Sequence, residues 1–238
     1  MKKIFTVLLG GTFILCTPGC ETAQQVLSGI NTQNGGLTST EIAAGLKEAL
    51  SIGTQNSSSK LSAADGFFSN AAIKILMPEE AKKVESTLRS FGLGSLVDKA
   101  VLSMNRAAEE ASKSAAPIFV NAVKEMTITD ALGILKGGNY AATDYFKSKT
   151  TAPLTNAFKP VIEKALAKTD ATKYWNDVFS TYNKLAATPV NTDLAGYVTE
   201  RSLAGLFHEI GQEEQKIRQD PAARVTSLLK KVFGSTGS

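Results

Sequence analysis

Hydrophobic and polar positions from Leu37 to Phe233 follow the 3.6-residue period of α-helices, and no run alternates for long as a strand does. The clearest example is the stretch from Ser95 to Ser114. One side of a helical wheel there holds the apolar residues Val97, Ala100, Val101, Met104, Ala108 and Ala111. The small alanines in that stripe predict a partner helix at close range. The pattern predicts an all-α fold, a single multi-helix globular domain of about eight to ten helices.

Residues that favour helix ends indicate where several helices begin and stop. Pro78 suits a first helical position, and Gly92 suits a helix end. A long helix is predicted from Asp193 to Gln219. Asp220 and Pro221 then have the pattern of an N-cap and first residue, which predicts that the last helix begins there.

Other stretches have a weaker helical pattern. The Ser-rich sequence SIGTQNSSSK, residues 51–60, is polar and predicts a loop or a frayed helix. The run Ile73–Pro78 predicts an extended connector, because Pro78 disfavours helix at Met77. Two separate helices are predicted around Tyr140–Lys147 and Leu154–Ala167.

The N-terminus has the pattern of an export signal. Two lysines precede the apolar run Ile4–Leu15, which is shorter than the roughly 20 residues of a membrane span. Cys20 follows the small residue Gly19, as in a bacterial lipoprotein signal, in which the cysteine is acylated and becomes the first mature residue. Thr17 departs from that signal, which has Leu at this position. The alternative is an ordinary secretory signal and a soluble periplasmic protein.

The lipoprotein interpretation divides the chain into four parts. We expect a signal peptide at residues 1–19, a lipidated Cys20 with a flexible tether to residue 36, a helical domain at residues 37–233, and a disordered tail at residues 234–238. The membrane partner is then a lipid anchor on Cys20. Because Glu21 follows the cysteine, and retention in the inner membrane usually involves Asp there, the expected location is the periplasmic face of the outer membrane.

Composition and charge narrow the class of partner. With 43% hydrophobic and 20% charged residues, the chain resembles an ordinary globular protein. Without Lys2 and Lys3, the 26 basic residues fall to 24 against 22 acidic ones. That balance gives no electrostatic footprint for nucleic acid, so no nucleic-acid partner is expected.

The stretch LFHEIGQEEQKIRQDP, from Leu206 to Pro221, contains the only histidine of the chain. A zinc helix of the type HExxH needs a second histidine, which is missing here. On a helical wheel Glu214 falls near the centre of the apolar stripe and Glu213 at its edge, whereas His208 lies well round from both. We therefore expect no metal site, no cofactor and no catalytic residues.

A buried carboxylate must be paired or protonated, and Arg218 stands four residues after Glu214. Two interpretations stay open: an ion-pair cluster that fixes the last two helices, or a polar group in the floor of a ligand pocket. In NRAAEE we expect a structural role for Asn105 and Glu109, and a solvated pair between Arg106 and Glu110. The candidate buried polar network comprises Glu213, Glu214, Arg218, Arg224, Asn105 and Glu109.

Several short motifs, taken in order, resemble the bacterial family called domain of unknown function 4197. They are GLKEAL, DGFFSN, IKILMPE, MNRAAE, AATDYF, DLAGYVT and, near the C-terminus, EEQKIRQDPAARVTSLLKKVFG. The resemblance covers nearly the whole chain after the tether. It implies an exported, largely helical protein of Gram-negative type, and it brings no accepted catalytic residues.

Two functions from different classes follow. The first is an envelope lipoprotein whose helical domain binds an unknown envelope protein or maintains the envelope; it predicts a filled core and an exposed apolar patch. The second is a carrier or sensor of a lipid or other apolar ligand. It predicts an internal cavity lined by phenylalanines. The candidates for that lining are Phe67, Phe68, Phe119, Phe146, Phe158 and Phe179. An enzyme is the least favoured class.

Overall fold

Helices make up the regular structure of the described chain. The computed structural model describes residues 37–169, 192–220, 223–224 and 226–234, together with residues 172, 173, 175, 176, 179, 183, 184 and 189. The predicted signal peptide, Cys20, the whole tether to residue 36 and the tail after Gly234 lie outside the described residues.

Eight α-helices are described, and no strand occurs in the same residues, so the predicted all-α fold with a single helical domain is confirmed. Their bounds are α1 Ser39–Ser62, α2 Lys82–Ser90, α3 Gly94–Ser112, α4 Ala115–Glu125, α5 Ile128–Lys136, α6 Ala141–Ala167, α7 Leu194–Gln219 and α8 Ser227–Gly234. A single 3₁₀ turn, Glu79–Ala81, precedes α2. Within the described ranges, none of the helices combines the length and the apolar character that a membrane span needs.

The central helix is α1, which packs against α3, α4, α5, α7 and α8. The prediction of a loop or frayed end at residues 51–60 is wrong, because this Ser-rich stretch is helical. The hydroxyls of Thr54 and Ser57 donate to the carbonyls of Leu50 and Gly53 at 2.8 and 2.9 Å. Those bonds satisfy these two buried hydroxyls inside the helix itself, so both residues can face neighbouring helices.

The long helix α6 lies against α3 and α7. It is continuous from Ala141 to Ala167, so the prediction of two separate helices is wrong. Pro153 and Pro160 lie inside it on its exposed side. Each proline removes one backbone hydrogen bond, but on that side water can satisfy the carbonyl that is left free.

Two predicted helix ends are confirmed and one predicted start is wrong. Gly92 has a φ of 78° just after α2, and the Asp193 side chain caps α7 by accepting from the Gly196 amide at 2.8 Å. The last helix begins at Ser227 and not at Pro221. Before it, Arg224 donates to the Ile217 and Arg218 carbonyls at the end of α7.

Aromatic rings fill the core where α4, α6 and α7 meet. Phe119 meets Phe146 edge to face with ring centroids 5.3 Å apart, and it meets Phe207 at 6.3 Å. Gly205 of α7 allows a close approach, since an added Cβ there would lie 2.6 Å from the ring of Phe67. The packing around α7 is therefore tight.

Candidate functional site

Glu214, a buried acidic residue of the predicted network, lies on α7 and is 6% exposed. Its carboxylate accepts from the amides of Ala142 and Thr143 at 3.0 and 2.9 Å, and from the Thr143 hydroxyl at 2.8 Å. These amides belong to the first turn of α6, where a helix has unpaired N–H groups and favours negative charge. Glu214 therefore caps α6 from a distant part of the chain.

Arg218 completes this anchor. Its Nε and Nη2 donate to Oε1 of Glu214 at 3.0 and 2.8 Å, and its Nη2 also donates to the Ile134 carbonyl at 2.8 Å. Ile134 lies in the last turn of α5, where free carbonyls favour a cation. The ion pair thus ties the end of α5 and the start of α6 to α7. It does not fix the last two helices, because Arg224 bonds to the carbonyls of α7 and not to Glu214.

The surroundings of Glu214 fit an anchor better than the floor of a ligand pocket. The space beside it, lined in part by Gly53 and Phe146, has a volume of about 10 Å³. That is room for about one water molecule. Glu213 is partly exposed and pairs with Lys216, and His208 is exposed on the same helix. No described group of three His, Cys, Asp or Glu side chains is placed to hold a metal ion.

A second anchor on α3 holds the segment between α1 and α2. Glu109 accepts from the Phe67 and Phe68 amides at 3.2 and 3.3 Å, and from Arg106 at 2.6 Å. Asn105 pairs in both directions with the Ile75 backbone, accepting from its N–H at 2.9 Å and donating to its carbonyl at 2.8 Å. The extended connector is thereby held through its backbone.

The expected pair of Arg106 with Glu110 is wrong. Arg106 instead bonds to Glu109 and, at 2.8 Å, to Asp65, while Glu110 pairs with Lys113. A helical wheel shows which side of the helix carries Arg106, but it gives no information about residues distant in sequence, such as Asp65, that contact that side.

Sequence reasoning missed a third buried acid, Glu209, which is 3% exposed on α7. It accepts from Lys60 of α1 at 2.6 Å and from Asn70 at 2.8 Å. A signal was present, because Glu209 stands three residues after the apolar Leu206 and so shares its face of the helix. All three buried acids hold backbone or partner side chains, so the network is a set of structural anchors.

The six candidate pocket phenylalanines do not lie around one cavity. Phe67, Phe119, Phe146, Phe158 and Phe179 are buried core residues. Phe68 is partly buried, with the Lys74 ammonium 3.8 Å from its ring centroid. A groove of about 440 Å³ lies elsewhere, between α6 and α7, and none of the six lines it.

Exposed apolar side chains concentrate at the turn between α2 and α3, which we call the apolar turn, residues 91–96. Phe91 is 77% exposed, Leu93 43% and Leu96 51%. Helix α2 has no fully buried residue and packs mainly on α3. The largest exposed apolar patch of a domain is often functional, as a site that contacts another molecule.

The apolar turn has a defined backbone and a bracing arginine. The amides of Gly92 and Leu93 donate to the Arg89 and Leu88 carbonyls at 3.1 and 2.9 Å, a Schellman motif with glycine in the left-handed position. Arg89 donates to Glu85 at 2.9 Å and across the turn to Asp98 at 2.8 Å. The hydrogen bonds that Arg89 donates to Asp98 and then to Glu85 raise the pKa of Arg89. The turn is held in one shape before it meets any partner.

Comparison with known proteins places most of the chain in one family. Residues 36–234 match the family described as Protein of unknown function (DUF4197). No curated protein and no solved structure matches the chain.

Proposed function

This chain belongs to the family of proteins of unknown function DUF4197, and we propose that it is an exported lipoprotein whose helical domain binds another protein of the cell envelope. The observation that carries the proposal is the apolar turn, residues 91–96, with its three exposed apolar side chains. The aromatic core and the buried acids support the proposal further. Both serve to hold the helices together, so a binding function falls to residues on the surface of the domain. Cys20 provides the anchor, on the periplasmic face of the outer membrane.

The anchor is tested by growing bacteria that express the full chain with radiolabelled palmitate. We expect label on the wild-type protein and on Cys16→Ser, and none on Cys20→Ser. Cys16→Ser is the matched control because it removes the other cysteine of the chain. An unlabelled wild-type protein, or label that survives in Cys20→Ser, contradicts the lipoprotein part of the proposal.

The binding function is tested by photo-crosslinking in living cells, with benzoylphenylalanine placed at scattered exposed positions. Suitable positions are Phe91, Leu102, Ile128 and Tyr140, all large exposed residues. We expect at least one of them to give a discrete crosslinked protein. Absence of a discrete product at every position, in cells that fold and export the chain, contradicts the proposal of a protein partner.

One observation favours a second function, transport or sensing of an amphiphilic ligand. The groove between α6 and α7 has the apolar residues Leu203 and Phe207 in its lining and Lys147 and Lys159 along the α6 side. Its volume lies within the range of small-molecule sites. Native mass spectrometry of the domain purified under mild conditions tests this function. A stoichiometric lipid-sized adduct that disappears in Leu203→Glu supports it, and a clean apo mass contradicts it.

A further inference from the structure

The apolar turn has a size and shape that limit what can cover it. Phe91, Leu93 and Leu96 together offer roughly 300 Å² of surface, well below the roughly 800 Å² per partner of a stable protein dimer. A second copy of this chain, contacting only the same turn, would therefore not be held. The turn is suited to insertion into a concave site, where a few anchoring side chains supply most of the affinity.

Charge around the turn does not favour an anionic membrane. Residues 79–99 carry four basic and four acidic side chains. The basic ones are Lys82, Lys83, Arg89 and Lys99, and the acidic ones are Glu79, Glu80, Glu85 and Asp98. Peripheral membrane contacts combine apolar side chains with an excess of Lys and Arg, which this segment lacks.

The backbone of the turn also favours a protein partner over a bilayer. Helix α3 begins at Gly94 with no side-chain cap on its first amides and no acidic residue in its first turn. Free amides are costly in hydrocarbon, which offers them no acceptor. The rim of a protein pocket can offer carbonyl or carboxylate oxygens, and a helix N-terminus favours both.

We propose that Phe91, Leu93 and Leu96 insert into an apolar pocket on a partner protein, a pocket whose rim carries hydrogen-bond acceptors for the start of α3. This inference rests on the proposed function and specifies the surface that performs it. Glu85 and Arg89 before the turn and Asp98 after it are linked by ion pairs, and they supply polar groups of the kind found in the rim of a protein interface. Arg89 is a positioning residue, because it joins α2 to α3 and lies 3.3 Å from where a Gly94 Cβ would be.

The first part of the test locates the contact in cells, using benzoylphenylalanine in place of Phe91 and, as the matched control, in place of Tyr140. Tyr140 is also an exposed aromatic residue, but it lies in the turn before α6. We expect a discrete crosslinked protein from position 91 and not from position 140. Crosslinks at other exposed positions but not at 91 overturn this inference and leave the proposed function standing.

The second part measures binding of the mature chain to the crosslinked protein after its identification and purification. We expect Leu93→Ser/Leu96→Ser to lower the affinity at least tenfold, whereas Ile128→Ser, an exposed residue on α5, leaves it unchanged. Urea unfolding shows whether the double variant keeps the wild-type stability. An unchanged affinity in a folded double variant overturns the inference.

Two other binding partners for the apolar turn, a lipid bilayer and a second copy of the chain, are tested by separate measurements. Flotation with vesicles of phosphatidylethanolamine and phosphatidylglycerol, lost in the double variant, would identify a bilayer as the occupant. A concentration-dependent dimer in light scattering, lost in the same variant, would identify a second copy. Either result overturns the proposal that the turn inserts into a pocket on a partner protein.

Arg89 provides a readout that separates positioning from stability. We expect Arg89→Ala to weaken binding several-fold and to speed exchange of the Leu93 amide, which donates to the Leu88 carbonyl. The urea midpoint should stay unchanged, since α2 buries no residue fully. Lys83→Ala, a basic residue of the same helix, is the control. Unchanged amide exchange together with unchanged binding contradicts the positioning role.

Discussion

At the scale of single residues, the buried acids of this protein stabilise helix ends and connecting segments. Glu214 caps α6, Glu109 holds the Phe67 and Phe68 amides, and Glu209 pairs with Lys60 and Asn70. A buried carboxylate is costly unless it is fully bonded, so each of these sites depends on all of its partners. The sequence indicated that Glu214 is buried and that Arg218 is its partner, but the partners on α6 stand 71 and 72 residues away and could not be identified from sequence.

The Glu214 anchor leads to a prediction about stability. We expect Glu214→Ala to lower the free energy of unfolding by about 3 kcal/mol, because Arg218 and the first amides of α6 lose their buried acceptor. Urea unfolding followed by circular dichroism measures the change. Glu110→Ala is the control, since Glu110 forms an exposed pair with Lys113 and its loss should cost under about 0.5 kcal/mol. Equal effects of the two variants would contradict an anchoring role for Glu214.

Asp130 leads to a prediction about pH. It forms a capping box with Thr127 at the start of α5, and hydrogen bonds from the Thr127 amide and then its hydroxyl lower the pKa of Asp130 from 3.8. A lowered folded-state pKa stabilises the fold above the unfolded value and ceases to do so as pH falls through the folded value. Asp130→Asn should therefore unfold at lower urea than wild type at pH 7. The difference in urea midpoint between the two proteins should disappear as pH falls below 3.8. A gap of the same size at both pH values contradicts this assignment.

At the scale of elements, two helix ends were predictable from sequence, whereas the start of the last helix and the interiors of α1 and α6 were not. Gly92 and the Asp193 cap are local signals, since each acts within a few residues, and both ends lie where the sequence predicted them. The interiors of α1 and α6 contradict local propensity. Serine and threonine hydroxyls bond within α1, and α6 continues through Pro153 and Pro160, because packing against other helices decides both cases.

The prolines of α6 lead to a prediction about helix stability. Pro153→Ala should raise the free energy of unfolding by about 1 kcal/mol, because the new N–H can donate to the Lys149 carbonyl while the freer unfolded chain offsets part of the gain. Pro117→Ala is the matched control. Pro117 lies in the first turn of α4, where an N–H has no helical acceptor, so little change is expected. Urea midpoints measure the stability of both variants. A loss of stability in Pro153→Ala would contradict the prediction and show that the proline ring contributes to packing.

At the scale of the whole molecule, the helical class follows from the hydrophobic period, whereas the arrangement of the helices does not. Nothing local indicates that Lys60 meets Glu209, or that the apolar turn stays exposed while Val97 and Val101 are buried. These facts depend on which helices pack together, and α1 packs against five others. The surface proposed to bind a partner therefore cannot be identified from sequence, because it consists of the apolar side chains that helix packing leaves exposed.

The central position of α1 predicts cooperative unfolding that includes the single tryptophan. Trp175 is buried, with its ring 4.4 Å from Phe179. We expect its fluorescence and the far-ultraviolet circular dichroism to report the same urea midpoint. Leu46→Ala in α1 removes a buried side chain and should lower the free energy of unfolding by about 3 kcal/mol, so both midpoints should fall together. Leu76→Ala, at an exposed residue, should move neither midpoint.

The reason is physical continuity of packing. Leu46 and Trp175 stand far apart in sequence, so a shared response to Leu46→Ala requires that one core connects them. If the dichroism midpoint falls while the fluorescence midpoint stays, Trp175 and Phe179 belong to a second cooperative unit. The helices around α1 would then be able to fold without the tryptophan, and the stability of the domain would have to be measured with two probes and assigned to two transitions.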